Sequence, residues 1–257
     1  MPARSARPCL ERGRARSGRR VGSRAELDPQ LRRAVLPGLR GLGTRHHIAL
    51  TYDDGPDPAS TPQFLSMLER HGVSATFFVL GEFVARYGSL VTEMSAAGHE
   101  LAVHGWDHRC LVGKPPGQLS DQLRRTQHTV EDFTGVPVHW FRPPYGVITG
   151  RGLLAARQVG LIPVLWSAWG RDWSSRATPE SIVTTVCRSI RPGGTVLLHD
   201  TDRTAAPGAW RGGAVGVPVG PQRVHSVGRG RGAVRLAHPS RRQRPGPVRQ
   251  AEVRHHH

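Results

Sequence analysis

Cysteine is scarce in this 257-residue chain: Cys9, Cys110 and Cys187 are widely spaced, odd in number and without a CxxC pair. Such a set implies neither a disulfide framework nor a cysteine zinc site, and each reads as a buried or incidental thiol. No run of about 18 apolar residues exists, so no membrane-spanning helix is expected. The basic N-terminus has no apolar stretch behind it, and no secretory signal is recognisable. Internal repeats are lacking. Acids are few at both ends. Residues 1–45 carry twelve Arg against three acids and residues 203–257 eleven Arg against one, while 46–202 carry thirteen Lys or Arg against fifteen acids. A net charge of +17 suggests a nucleic-acid partner. Its confinement to the ends argues instead for basic tails around a nearly neutral core with no specific nucleic-acid site.

Three segments follow. Residues 1–45, rich in Arg, Gly, Pro and Ser, hold too few apolar side chains to order themselves, apart from a short helix near Glu26–Val35. Residues 46–210 form the folded domain, where apolar β-rich runs alternate with helical patterns. Strands are expected at His47–Tyr52, Ala75–Leu80, Glu100–His104, Val138–Phe141, Leu161–Trp166 and Thr195–Leu198. Helices are expected at Pro58–His71, Glu82–Ala97, from a Ser120 N-cap to Gly135, at Gly150–Val159, and from Thr178–Pro179 to Ile190. Alternating β and α elements imply a parallel sheet with helices outside, and their number favours a complete or partial barrel. After Trp210 neither period survives. Residues 211–257 are an Arg/Gly/Pro-rich tail, either disordered or the out-of-frame reading of a GC-rich gene.

Five clusters lie at the C-terminal ends of expected strands, where reacting groups converge in a parallel α/β barrel. In Thr51-Tyr52-Asp53-Asp54-Gly55-Pro56, two adjacent carboxylates end an apolar strand; one can hold a metal while the other acts as a base. His104-Gly105-Trp106-Asp107-His108 offers two imidazoles four residues apart. With Asp54 they make a two-histidine, one-carboxylate set that leaves positions open for water and substrate. The same ligands suit a non-haem iron oxygenase, which the remaining clusters disfavour. Arg142-Pro143-Pro144-Tyr145-Gly146 is a rigid loop whose arginine can pair with a carboxylate. Asp172-Trp173 offers an acid to orient a histidine and an indole to wall a pocket. In Leu197-Leu198-His199-Asp200 a histidine ends a buried strand, placed for general-acid work.

In this order and spacing, TYDDGP, HGWDH, RPPYG, DW and LLHD resemble the five motifs of the polysaccharide deacetylase family, also called the NodB homology domain or carbohydrate esterase family four. The resemblance covers about residues 46–202. It implies a distorted, incomplete (β/α) barrel. It also implies a role for each position: Asp53 the catalytic base; Asp54, His104 and His108 the ligands of a divalent metal, Zn²⁺ or alternatively Co²⁺; Arg142 the holder of the base. Tyr145 supplies a backbone N–H to the oxyanion, Asp172 tunes the general acid His199, and Trp173 and Leu197 line the acetyl pocket. The implied reaction is N-deacetylation of an N-acetylglucosamine polymer, peptidoglycan or chitin-like, with O-deacetylation of xylan or a non-catalytic product as alternatives. Such enzymes act outside the cytoplasm.

The chain departs from the family pattern in four places. Gly105 stands where a Ser or Thr hydroxyl is common, Tyr52 replaces Phe, and Trp169 replaces the outer acid of the fourth motif. Gly and Arg follow the LLHD strand where a further helix and strand are expected, so an exposed sheet edge is anticipated.

Overall fold

A computed structural model describes residues 39, 41–43, 47–205 and 224–225. The helix near Glu26–Val35 and most of the two expected tails, with the out-of-frame reading, fall outside the described residues.

Seven parallel strands form one curled sheet: β1 (Ile48–Asp53), β2 (Thr76–Val79), β3 (Glu100–Val103), β4 (Trp140–Phe141), β5 (Ile162–Pro163), β6 (Ala168–Trp169) and β7 (Thr195–His199). Their order is β5-β4-β3-β2-β1-β7-β6. The helices α1 (Thr61–Arg70), α2 (Gly81–Arg86), α3 (Gly88–Ala96), α4 (Pro116–Thr134), α5 (Gly150–Gln158) and α6 (Pro179–Ser189) connect them. The fold is therefore the expected α/β incomplete barrel.

The curl follows from chain length. β5 and β6 are opposite edges of the sheet, yet Ala168 follows Pro163 by only five residues. Seven strands laid flat span about 29 Å, whereas five residues reach at most about 18 Å. The edges must approach each other, and residues 164–167 bridge the gap. Strand alternation then sorts the side chains. Tyr52, Phe77, Val79, Leu101, Val103, Phe141, Val196 and Leu198 join the large core under the helices. Ala49, Phe78, Ala102, Trp140 and Val164 pack together inside the curl. The interior is polar at the strand starts, where Glu100 accepts from Thr76 Oγ1 (2.7 Å) and Trp140 Nε1 (2.9 Å).

Several elements differ from expectation. Residues 161–166 are not one strand: only Ile162–Pro163 pairs, with β4, before the chain crosses to the far edge. Helix α4 starts at Pro116 rather than at a Ser120 cap, because two consecutive prolines set the first turn and Ser120 bonds back to the Gly117 carbonyl. The helix expected over Glu82–Ala97 breaks at Tyr87, whose φ −127°, ψ 42° is not helical. Thr178 caps α6 through Ser181, and Gly135 closes α4 in the left-handed region, both as expected. Cys110 is disulfide-bonded, against the reading of three unpaired thiols, while Cys187 is free and exposed. Val224–His225 forms a two-residue strand, β8, parallel to Ile48–Ala49, too short to register as a sequence period. No helix among the described residues is long and apolar enough to cross a membrane.

Candidate active site

All ten residues singled out from the sequence lie at the C-terminal mouth of the curl or on the loops above it. β1 ends at Asp53, whose register partners are Phe78 on one side and His199 on the other. Along β1, Thr51 and Asp53 face the interior and Tyr52 faces the helices. Asp54 takes φ 76°, a left-handed turn that aspartate tolerates, so both adjacent carboxylates reach one site. His104 and Arg142 extend the ladder one residue past β3 and β4, through His104 N–H to Val79 O and Arg142 N–H to Val103 O, each 2.9 Å.

Asp54 Oδ1 lies 3.1 Å from His104 Nε2 and 3.2 Å from His108 Nε2. His104 Nδ1 is 2.8 Å from the Arg142 carbonyl, which only a protonated Nδ1 can satisfy, leaving the Nε2 lone pair for the site. Burial pushes the His108 imidazole down, toward its neutral ligand form. Burial alone would raise Asp54, but the neighbouring imidazoles of His104, His108 and His199 hold its carboxyl well below the usual range. Asp54 Oδ1 is buried and has no hydrogen-bond donor. The ligand atoms of Asp54, His104 and His108, turned toward one another and all within 4.8 Å, fit a divalent cation.

Beside this cluster, Asp53 Oδ1 accepts from Arg142 Nη1 at 2.6 Å, and its Oδ2 lies 3.8 Å from His104 Nε2. Arg142 is fully buried. It also donates to Thr51 Oγ1 (2.8 Å) and the Val164 carbonyl (3.2 Å), and lies 4.0 Å above the Phe78 ring. Across the mouth, Asp172 accepts from both His199 Nδ1 (2.9 Å) and the His199 backbone N–H (2.7 Å). Burial alone would lower His199, but the Asp172 charge and hydrogen bond push it up to about 9. Leu197 is buried on the same inward face of β7 as His199, and Trp173 meets the His199 ring edge-on at 5.7 Å. Tyr145 sits at φ 61°, its ring 4.4 Å from that of His108 and its hydroxyl 3.3 Å from the His108 carbonyl.

The sequence reading missed the turn after β7. Thr204 donates to Asp54 Oδ2. Arg203 donates to the Asp54 carbonyl (3.1 Å) and pairs with Asp57 (3.0 Å). Asp200, buried and pushed up to about 7 mainly by burial, accepts from Thr61 at 2.6 Å. In sequence Arg203 and Thr204 are isolated polar residues, and Asp200 stands in the LLHD motif without a role of its own. Gly105 has a backbone reason: at φ 111° a side chain is strained, so its conformation matters more than a missing hydroxyl.

A curled parallel sheet with two buried carboxylate–cation pairs and a candidate cation triad at its strand ends fits a hydrolase of the carbohydrate-deacetylase class. The family model for polysaccharide deacetylases matches residues 41–164. The chitooligosaccharide deacetylase of a Bradyrhizobium strain is 41% identical over 160 residues, 62% of this chain and 72% of that protein. The structure of the peptidoglycan deacetylase PdaC from Bacillus subtilis superposes with TM-score 0.63 and 34% identity, over 73% of this chain and 90% of that one. A pseudoenzyme of carbohydrate esterase family four from Bacillus anthracis superposes with TM-score 0.65 and 25% identity, over 72% and 65% of the chains. The chain belongs to the polysaccharide deacetylase family.

Proposed function

We propose that this protein is a metal-dependent hydrolase that removes N-acetyl groups from an N-acetylglucosamine polymer, peptidoglycan or chitin-like. One observation carries the reading: the Asp53–Arg142 and Asp172–His199 pairs flank the Asp54–His104–His108 cluster at a single mouth. Similarity to a chitooligosaccharide and a peptidoglycan deacetylase supports the substrate class.

Asp54, His104 and His108 would hold the cation, Zn²⁺ or Co²⁺. When bound, it supplies a Lewis acid that lowers the pKa of water and polarises the acetyl carbonyl. Asp53 takes the proton of the attacking water, and the Arg142 guanidinium keeps it oriented. The Tyr145 backbone N–H faces the developing oxyanion, a contribution of about 10²–10³ in rate for one such donor. His199, kept protonated by Asp172, gives its Nε2 proton to the leaving amine. Leu197 and Trp173 enclose the methyl group.

The test is acetate release from N-acetylglucosamine oligomers by chelated protein, with and without added Zn²⁺ or Co²⁺. Release that depends on metal is expected. Release from acetylated xylan alone would replace the amide reading with an esterase. No release from either substrate by folded, metal-loaded protein would place the chain with the non-catalytic members.

A further inference from the structure

Trp169 stands where the family pattern has an acid, and its setting gives it a task. On β6 its register partner is Leu197 on β7, so it shares the inward face with the pocket residue while Ala168 packs into the helix-side core. The next residue faces the other way: a Cβ on Gly170 would lie 2.5 Å from Leu198 and 2.8 Å from Ile182, so the backbone there is pressed onto the helix-side core. β6 is an edge strand, and the inward-facing Trp169 side chain is 38% exposed. It does not stand alone. Trp166 and Trp169 stack at 6.0 Å and 29°, Trp169 and Trp173 meet at 5.1 Å, and Trp173 contacts His199. Trp173 is equally exposed. The result is a staircase of indoles leading from the general-acid histidine to the rim. The Arg171 guanidinium lies over the Trp169 ring, 5.7 Å from its centre.

We infer that Trp169 forms a second sugar subsite, one indole beyond the acetyl pocket, on which the neighbouring pyranose of the glycan rests. This deepens the deacetylase reading and rests on it for the identity of the polymer. The apolar C–H face of a pyranose matches a flat indole in size and polarity, and tryptophan offers large contact area with little rotamer entropy to lose. The Trp169 indole is already held in place for it, stacked on half-buried Trp166 and touching exposed Trp173. The aspartate common in the family could not supply such a surface. Trp169 is thus a specificity-determining residue for chain length, and it takes no part in the bond-breaking step.

Two readouts on the Zn²⁺-loaded full chain test this: steady-state kinetics with the N-acetylglucosamine monomer and tetramer, and calorimetric binding of the tetramer. Trp169→Ala should reduce the tetramer-to-monomer ratio of kcat/KM about ten-fold or more, through KM, and weaken tetramer binding by a similar factor. Trp169→Tyr should recover most of both, and Leu154→Ala, an exposed change on α5, neither. If Trp169→Ala keeps the wild-type ratio and affinity, the subsite is refuted and the deacetylase reading stands. Wild-type protein that binds the tetramer through Trp169 without turnover refutes the deacetylase reading and keeps the subsite. Protein that neither binds nor turns over the tetramer refutes both.

Discussion

Asp172→Asn isolates one interaction at almost constant shape. In the folded protein the Asp172 carboxylate accepts from His199 Nδ1 and the His199 backbone N–H, at 2.9 and 2.7 Å. It raises the imidazole from 6.5 to about 9 against an opposing effect of burial. The amide keeps the size but loses the charge and one acceptor, so with its oxygen on the His199 ring it gives up the bond from the His199 backbone N–H. Without the charge burial opposes only the weaker pull of Asp54 and Asp53, and the imidazole pKa falls back toward its ordinary value of about 6.5. The imidazolium then loses about 3 kcal/mol of stabilisation. At pH 8 the protonated fraction falls from about nine-tenths to about 3%, so turnover limited by the general acid falls ~30-fold. The direct assay is an NMR titration of the His199 ring in metal-free protein, wild type against variant. The functional assay is the alkaline limb of kcat/KM. A bound divalent cation lowers that limb in both proteins, so the displacement between them, not its absolute position, is read. Stability moves with the same proton. Because the folded pKa lies above the unfolded one, the pair's contribution is full below about pH 6.5 and is lost as pH rises through about 9. The variant should therefore lack this alkaline loss in a series of thermal melts. A His199 titration that stays near 9 in Asp172→Asn would refute the reasoning.

Three further outcomes are expected. Asp53→Asn should lose turnover by about 10²–10⁴ while metal affinity, measured by competition with a chromogenic chelator, changes little; retained turnover removes Asp53 from the base role. His104→Ala should weaken metal binding in that competition by more than the 10–100-fold typical of losing an outer partner, and unchanged affinity would dismantle the triad. Arg142→Met should cost about 3–5 kcal/mol in denaturant unfolding, because it leaves Asp53 buried without its counter-ion. Combined with Asp53→Asn, it should cost less than the two single changes summed; strict additivity would show that the pair is not coupled.

The sequence made the longer strands legible. β1, β2, β3 and β7 are four to six residues long, largely apolar and bounded by turn chemistry, and reactive residues follow β1, β3 and β7 directly. β4, β5 and β6 pair over two residues each, and no periodicity exists in two residues. Their positions are set by the tertiary requirement that the sheet close on itself. Thr204 was invisible for a related reason. Its partner Asp54 lies 150 residues earlier, and a hydroxyl in a turn carries no sign of so distant a contact.

The misread segment 161–166 also explains why Arg142 is buried so deeply. Had those residues been one continuous strand, the carbonyls of Val164 and Leu165 would bond to a neighbouring strand. Instead the chain leaves β5 to cross the gap in the barrel, and those two carbonyls face inward without a ladder. Arg142 Nε and Nη2 approach them at 3.2 and 3.5 Å while Nη1 holds Asp53. One guanidinium with five fixed donors serves the break in the sheet and the proposed base together, which a lysine with a single ammonium centre does not reproduce. The incomplete barrel and the buried Asp53–Arg142 pair are thus one structural solution. The gap supplies the carbonyls that keep an arginine buried, and the arginine holds Asp53 in place beside the triad.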